Sequence, residues 1–300
     1  MKLKNRSCPI CHSTDNANIW LNANVDESRF NEYSFASRKI PEDMHFQMLQ
    51  CLECDVLYTS PAPESEWLNQ AYSEASYDSN EEATYAAKTY STLLKNKLPF
   101  LTDRVGALDI GTGNGSFLSY LLKEKFTNVS GIEPSKSAVD NAASEIKSLI
   151  RIKTFKEDDY DSESFSLISC FQTIEHLEDP QGFCESARKL LKKNGILFLV
   201  GHNYRSFLAR FLGKKSPIYD VEHLQIYSPK SFRLMLNKLG FKDITIFPYT
   251  NTYPLSYWLK MLPLPTPLKT FLLSGMKYTL LSKLPIPIPV GNVAVFGIKQ

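Results

Sequence analysis

The 300-residue chain lacks any uninterrupted apolar run of about 18 residues, the length a bilayer-spanning helix needs, so no spanning helix is expected. Its first residues, MKLKNRSCPICHS, hold no apolar segment of the secretory kind, which predicts a cytoplasmic protein. Nor is there a surplus of one charge. Lysine and arginine total 34 against 32 acids, a net charge of +2, and such totals announce no strongly basic nucleic-acid surface. One local shortage is sharper: from Ile244 to the end there is no acid at all, beside five lysines. What remains is ordinary for a globular protein, with 43% hydrophobic residues. The length allows a full α/β domain with a smaller companion.

Cysteine is scarce and concentrated. Four of the six form two Cys-x-x-Cys pairs, Cys8–Cys11 and Cys51–Cys54. Without a secretory signal these read as the four thiolates of one tetrahedral Zn2+ site rather than as disulfides. Four thiolates fill the shell and leave no position for substrate, so the zinc is structural. The 39 residues between the pairs exceed a ribbon's usual spacing and must fold back as a hairpin or insertion. Cys170, in an apolar strand, and Cys184, on a helix, read as core.

The stretch Val105–Leu118, VGALDIGTGNGSFL, organises the rest. An apolar strand ends at Asp109-Ile110, a loop carries glycines at 111, 113 and 115, and a helix follows from Phe117 to Lys125. Glycine suits a backbone that turns sharply and lets a bulky ligand approach without meeting a Cβ. A second strand, Asn128–Glu133, ends in an acid placed to accept hydrogen bonds from ribose hydroxyls, and Pro134-Ser135 opens another helix. A nicotinamide fingerprint needs its third glycine one place later, where Ser116 stands. Asp109, two residues before Gly111, suits a ligand that carries an ammonium rather than a pyrophosphate.

Asp109-Ile110-Gly111-Thr112-Gly113-Asn114-Gly115 resembles the first motif of the class I S-adenosylmethionine-dependent methyltransferases. The resemblance continues through Gly131-Ile132-Glu133-Pro134-Ser135, through Phe165–Phe171 with Glu175-His176-Leu177, and through Leu190–Leu199. It implies S-adenosyl-L-methionine as cofactor, held by Asp109, Gly111, Thr112, Gly113, Gly115, Glu133, Pro134 and Gln172. It also implies a Rossmann-like seven-stranded sheet with helices on both faces, its last strand antiparallel between strands five and six. Relatives often place an acid near the adenine at about Thr154; Glu157, Asp158 or Asp159 would have to serve here.

Three segments follow. Residues 1–60 form a zinc-ribbon-like module, in which Phe46–Tyr58 reads as strand, knuckle and returning strand. Residues 61–104 form a helical leader rich in tyrosine (72, 77, 85, 90), which in relatives covers the cofactor. Residues 105–300 form the methyltransferase domain, with strands ending at Ile110 and Glu133 and others at Ile150–Phe155, Phe165–Phe171, Ile196–Gly201, Phe241–Phe247 and Asn292–Ile298. Asp179-Pro180 and Ser228-Pro229 read as helix starts, Gly195 and Gly240 as the ends. Residues 248–290 carry eight of the 17 prolines among apolar runs, and Leu268, Phe271, Leu272, Met276, Leu280 and Leu284 fall on one helical face. This insertion reads as an apolar, basic lid over the acceptor, with a packed helical pair or a dimer surface as the plainer readings.

Acceptor oxygen or nitrogen must lose a proton, and histidine serves near neutral pH. His176 follows strand four and ranks first; His202 follows strand five; His223 lies in a loop that reaches over the site. The resemblance is nearest to bacterial enzymes that methylate sugars, polysaccharide precursors or lipid-linked acceptors. Sugar C-methyltransferases share a cysteine-paired amino-terminal module but carry a further carboxyl-terminal domain, so O-methylation is expected. The acceptor is then a small molecule, or a lipid- or nucleotide-linked sugar, and no nucleic acid is expected. The basic lid suggests peripheral contact with the anionic inner membrane surface. Two other readings stay open: a zinc-ribbon rRNA methyltransferase, although an Asn/Asp-Pro-Pro-Tyr/Phe motif is missing, and a non-catalytic adaptor with a vestigial cofactor fold.

Overall fold

The computed structural model describes residues 1–39, 41–262, 264–276 and 279–300. The chain begins with five short strands, β1 (Leu3–Lys4), β2 (Ala17–Leu21), β3 (Met48–Cys51), β4 (Leu57–Thr59) and β5 (Ala62–Pro63). Helices α1 (Ser65–Glu74) and α2 (Asn80–Lys95) lead into the larger sheet. There β6 (Val105–Ile110), α3 (Ser116–Lys123), β7 (Thr127–Glu133), α4 (Lys136–Asp140), α5 (Ser144–Lys147) and β8 (Ile150–Ile152) make the first half. The second half runs β9 (Phe165–Phe171), α6 (Pro180–Leu190), β10 (Leu191–Gly201), α7 (Phe207–Leu212), β11 (Gln225–Ile226), α8 (Pro229–Lys238) and β12 (Lys242–Pro248). A hairpin-like excursion, β13 (Asn251–Pro254), α9 (Leu255–Met261), α10 (Thr266–Met276) and β14 (Pro285–Ile288), precedes the last strand, β15 (Val293–Ile298).

The large sheet has the order β12-β15-β10-β9-β6-β7-β8. Its five central and edge strands from β10 to β8 are parallel, while β15 runs antiparallel between β10 and β12, as the resemblance implies. Every residue of β9 is buried, the pattern of a parallel strand covered on both faces. From β6 the chain steps outward to β7 and β8, then returns to the other side for β9 and β10. That reversal opens a crevice at the carboxyl ends of β6 and β9, where open α/β sheets bind ligands.

Caps place the helices. Asp179 accepts from the Gly182 amide at 2.8 Å, and Ser228 and Ser231 form a reciprocal capping box at the start of α8. Two sequence expectations shift. Helix α6 ends at Leu190 and β10 begins at once, so Gly195 lies inside the strand rather than past the helix end. It sits where the pairing of β10 with β9 changes register between Leu191 and Ile196. The single helical face expected from Leu268 to Leu284 also breaks: α10 ends at Met276, and Leu280–Lys283 form a separate 3-10 turn.

The smaller sheet, β11-β4-β3-β2, is completed from the large domain: Gln225 pairs with Tyr58 and Ile226 with Leu57. Cys8, Cys51 and Cys54 lie in one buried apolar cluster with Ile110, Ile168 and Cys170. The cysteine region is therefore packed against the back of the sheet, and Cys170 and Cys184 are core residues as expected.

Candidate active site

The loop after β6 is shaped by its glycines and pinned by the neighbouring strand. Gly111 adopts φ +70°, and a Cβ there would stand 2.2 Å from the Thr173 hydroxyl, so only glycine fits. The amides of Gly111 and Thr112 donate to the Ile132 carbonyl at 2.9 and 3.0 Å. Glu133 holds the loop from the other side: its two oxygens accept from the amides of Gly113 and Ser135, each at 2.9 Å. Each oxygen keeps a lone pair for a further donor. Asp109 is buried and accepts from the Ser169 hydroxyl at 2.6 Å; burial pushes its carboxyl up to about 6.

Two cavities meet at this loop. The smaller, about 470 Å³, is lined by Glu133, Pro134, Thr154, Phe155 and Glu157. The larger, about 560 Å³, is lined by Asp109, Gly113, Tyr90, Tyr253, Trp258 and Leu259. Gly111, Gln172, Thr173 and His176 line both, so they form the passage between the two. Of the leader tyrosines, Tyr77 lines both cavities, Tyr90 the larger and Tyr72 the smaller, whereas Tyr85 reaches the Lys283 carbonyl at 3.4 Å. Helix α9 walls the larger cavity, with Trp258 Nε1 donating to the Ile286 carbonyl at 2.8 Å.

Three histidines converge on that passage. The rings of His176 and His223 are 5.2 Å apart, and those of His202 and His223 5.0 Å. His176 Nδ1 lies 3.7 Å from a Glu222 oxygen that has no hydrogen-bond partner. His202 Nδ1 lies 3.2 Å from Glu175 Oε1, which also accepts the His202 amide at 2.6 Å, so this pair is oriented by a fully buried carboxylate. His223 Nδ1 faces the Ile218 carbonyl at 2.8 Å, which leaves its Nε2 as the unprotonated nitrogen turned away from that carbonyl. Burial lowers His176 to about 4 and His223 well below the usual imidazole range, and it pushes Glu222 up to about 8. At neutral pH both rings are free bases.

A methyltransferase domain description matches residues 80–246, more than half of the chain. The chain belongs to this methyltransferase domain family. Its domain is of the class I, S-adenosylmethionine-dependent type that the four sequence motifs imply. It is 28% identical over 113 residues to the ubiquinone biosynthesis O-methyltransferase of Coxiella burnetii, covering 35% of this chain and 48% of that protein. It is 25% identical over 166 residues to the namesake enzyme of Vibrio atlanticus, covering 49% and 70%. The chain thus spans about half the length of the first of these relatives. Among solved structures, a SAM-dependent methyltransferase from Archaeoglobus fulgidus superposes with a TM-score of 0.48 at 15% identity, covering 79% of this chain and all of that one.

In this methyltransferase the four paired cysteines come together. Their sulfurs all lie within 4.8 Å of one another, and the Cys11 and Cys51 sulfurs are 3.7 Å apart. Four sulfurs about 2.3 Å from a tetrahedral ion would stand about 3.8 Å apart, so this donor set fits a metal ion. Each pair closes a knuckle turn: the His12 amide donates to the Cys8 carbonyl and the Asp55 amide to the Cys51 carbonyl. The Cys54 amide points at the Cys51 sulfur at 3.4 Å.

Sequence reasoning missed Arg38, which lines the larger cavity, and undervalued the Glu175–His202 pair. Glu175 carried a signal, since it opens the Glu175-His176-Leu177 motif. Arg38 carried none, because nothing in its local sequence separates it from a surface arginine.

Proposed function

We propose that this protein transfers a methyl group from S-adenosyl-L-methionine to an oxygen of a small-molecule acceptor. The observation that carries the reading is the cluster of His176, His202 and His223 at the passage between two cavities. The smaller cavity suits the adenosine end: Glu133 would accept from ribose hydroxyls, Pro134 and Phe155 flank the base, and Glu157 takes the place of the acid expected near Thr154. The larger cavity suits the acceptor. Asp109, Gly111, Thr112, Gly113 and Gln172 shape the space between, whereas Gly115 lines neither cavity and instead caps α3 against Ile146 and Ile150.

When bound, the cofactor supplies an electrophilic methyl on a sulfonium, for which in-line approach is the main requirement. His176 is placed to take the acceptor's proton, because its burial leaves it unprotonated. Glu222 retains its own proton near neutral pH and so does not convert His176 into an imidazolium ion pair. His223 and the Glu175-oriented His202 complete the proton-accepting face. The aromatic wall of Tyr90, Tyr253 and Trp258 excludes water around it. The names of the curated relatives support oxygen as the methylated atom.

The acceptor class follows from the cavity mouth. Helix α7 lines it with Leu208 and Leu212 while presenting Phe207 and Phe211 to solvent, 85% and 75% exposed and stacked 6.1 Å apart. Arg210, Lys214 and Lys215 stand beside them. On the lid, Phe271 and Leu280 are 74% and 90% exposed. Among the described residues no helix is long and apolar enough to cross a membrane. These apolar, basic arms support peripheral contact with the anionic inner membrane surface and a lipid-linked sugar or polysaccharide precursor as acceptor. Lys260 is held by Glu82 at 3.2 Å and is not available to grip a diphosphate; Lys277 lies outside the described residues. The cysteine cluster at residues 1–60 carries structural Zn2+, residues 61–104 are the cofactor cover, and 248–290 the lid.

The test is label transfer from radioactive cofactor to three separate pools: extracted membrane lipids, nucleotide sugars and RNA. Label in lipids or sugars, with turnover lowered about 10²–10⁴-fold in His176→Asn while cofactor affinity persists, supports the reading. Label confined to RNA, or none in any pool, overturns it.

A further inference from the structure

The long segment between the two cysteine pairs does more than fold back. It carries Arg38 into the wall of the larger cavity. Arg38 adopts φ +56°, a left-handed conformation that a bulky side chain rarely takes. Its neighbour Lys39 fixes the turn: the buried ammonium pairs with Glu42 at 2.6 Å and with Asp220 at 2.7 Å. Phe35, three residues before, packs edge-on against Trp67 and Tyr72 at 5.3 and 5.4 Å. The guanidinium is therefore held in place before any ligand arrives.

What surrounds it is incomplete. Its charge is felt by the hydroxyls of Tyr253, Tyr90 and Tyr77 and by the buried carboxyl of Asp109, which lines the same cavity. Its Nε is buried with no hydrogen-bond partner, and among the described residues no carboxylate forms an ion pair with it. A guanidinium stays charged at every accessible pH, and on this half-buried side chain the enclosed Nε is a donor left without an acceptor, which is unfavourable. The neighbouring tyrosines locate the missing anion. Tyr77 is 3.9 Å from where a Cβ on Gly113 would stand, and the Tyr90 hydroxyl donates to Gln172 at 3.2 Å. Arg38 is thus bracketed by side chains that touch the glycine loop on one side and the passage residue Gln172 on the other.

We infer that Arg38 binds the carboxylate at the amino-acid end of S-adenosylmethionine. The inference rests on the reading that the cofactor's adenosine lies in the smaller cavity and its amino-acid end passes Gly111 to the part of the larger cavity that Arg38 and Gly113 line. A planar guanidinium can donate two parallel hydrogen bonds to a carboxylate, which would give the enclosed Nε its acceptor. It also makes the cysteine region part of the cofactor site, since the segment that carries Arg38 is anchored at both ends by the metal-fitting pairs.

Calorimetry on the full chain separates the outcomes, with two ligands: S-adenosylmethionine and its decarboxylated analogue, which keeps the sulfonium and amine. The wild type should prefer the carboxylated ligand by about tenfold or more, the effect of a charge-assisted contact. In Arg38→Gln that preference should fall to near one, through loss of affinity for S-adenosylmethionine alone; Arg38→Lys should keep part of it. Melting curves check that each variant folds, and the lysine variant serves if the glutamine variant does not. If Arg38→Gln keeps the preference, or weakens both ligands equally, Arg38 does not read the carboxylate. Unchanged binding with lost turnover would assign Arg38 to an anion on the acceptor and overturn the proposal as well. A wild type that binds neither ligand refutes the cofactor reading itself.

Discussion

The sheet wall of the larger cavity and its lid wall face the same space but are held by different forces. On the sheet side, Asp109, Gly111, Thr112 and Glu133 are tied by backbone and side-chain hydrogen bonds at 2.6–3.0 Å, and β9 beside them is buried throughout. On the lid side, α9 buries Trp258, while α10 and the following turn leave Leu268, Phe271, Leu280 and Leu281 in solvent. Both walls are rich in apolar residues. The second buries Trp258 and Tyr253 but leaves α10 and the turn after it in solvent, so α10 should not answer to mutation as a core does.

The largest effect should come from the support behind the sheet wall. Cys51→Ser removes one of four converging sulfurs next to Ile110 and Cys170, and metal binding in such sites is folding free energy. Metal analysis should fall from about one equivalent to near zero, with the melting transition lowered and broadened. Next comes Gly111→Val, which combines a left-handed backbone with a contact 2.2 Å from Thr173. A loss of roughly 2–4 kcal/mol in urea melts, with cofactor binding abolished, is expected.

Asp109 tests the same wall in the opposite direction. Burial raises its carboxyl from the usual 3.8 to about 6, so the native state binds more protons than the unfolded state between pH of about 4 and 6. Asp109 should therefore contribute a fall of roughly 2–3 kcal/mol as pH rises through that window, read as the difference from Asp109→Asn because Glu222, raised to about 8, adds a fall of its own that continues above pH 6. Asp109→Asn should lose this slope and be the more stable protein at pH 7, yet bind cofactor at least about tenfold more weakly. Urea melts across that range check the first part and calorimetry the second. A variant destabilised at pH 7 would show that the Ser169 contact outweighs the burial of charge.

The smallest effect on stability belongs to the lid. Phe271→Ser, at a residue 74% exposed, should shift stability by no more than about 0.5 kcal/mol while reducing sedimentation with anionic vesicles. A loss above about 1 kcal/mol would mean that α10 is packed in solution, and the contrast between the walls would disappear.

Much of this was legible before any coordinates. The strand–glycine loop–helix unit, the acid closing β7, the capped starts of α6 and α8 and the pairing of the four cysteines all depend on neighbours within a few residues, or on ligand chemistry that spacing reveals. Gly195 was misread because a helix end and a register change in a strand both favour glycine, and only strand pairing tells them apart. The lid face was misread because helical periodicity continues through residues 277–284 in sequence, whereas the backbone turns at Thr279.

By itself the sequence determined the class of fold, the glycine loop and its acid, and the metal-fitting cysteines, since local backbone preference and ligand spacing are written in adjacent residues. Tertiary structure alone decided that His202 meets Glu175 across 27 residues, that His176 and His223 lie beside Glu222, and that Arg38 crosses from the cysteine region into the wall of the larger cavity. Those contacts depend on how strands and loops distant in sequence are laid side by side. The closing free energy comes from burial of the sheet and not from any preference of the residues that end up touching.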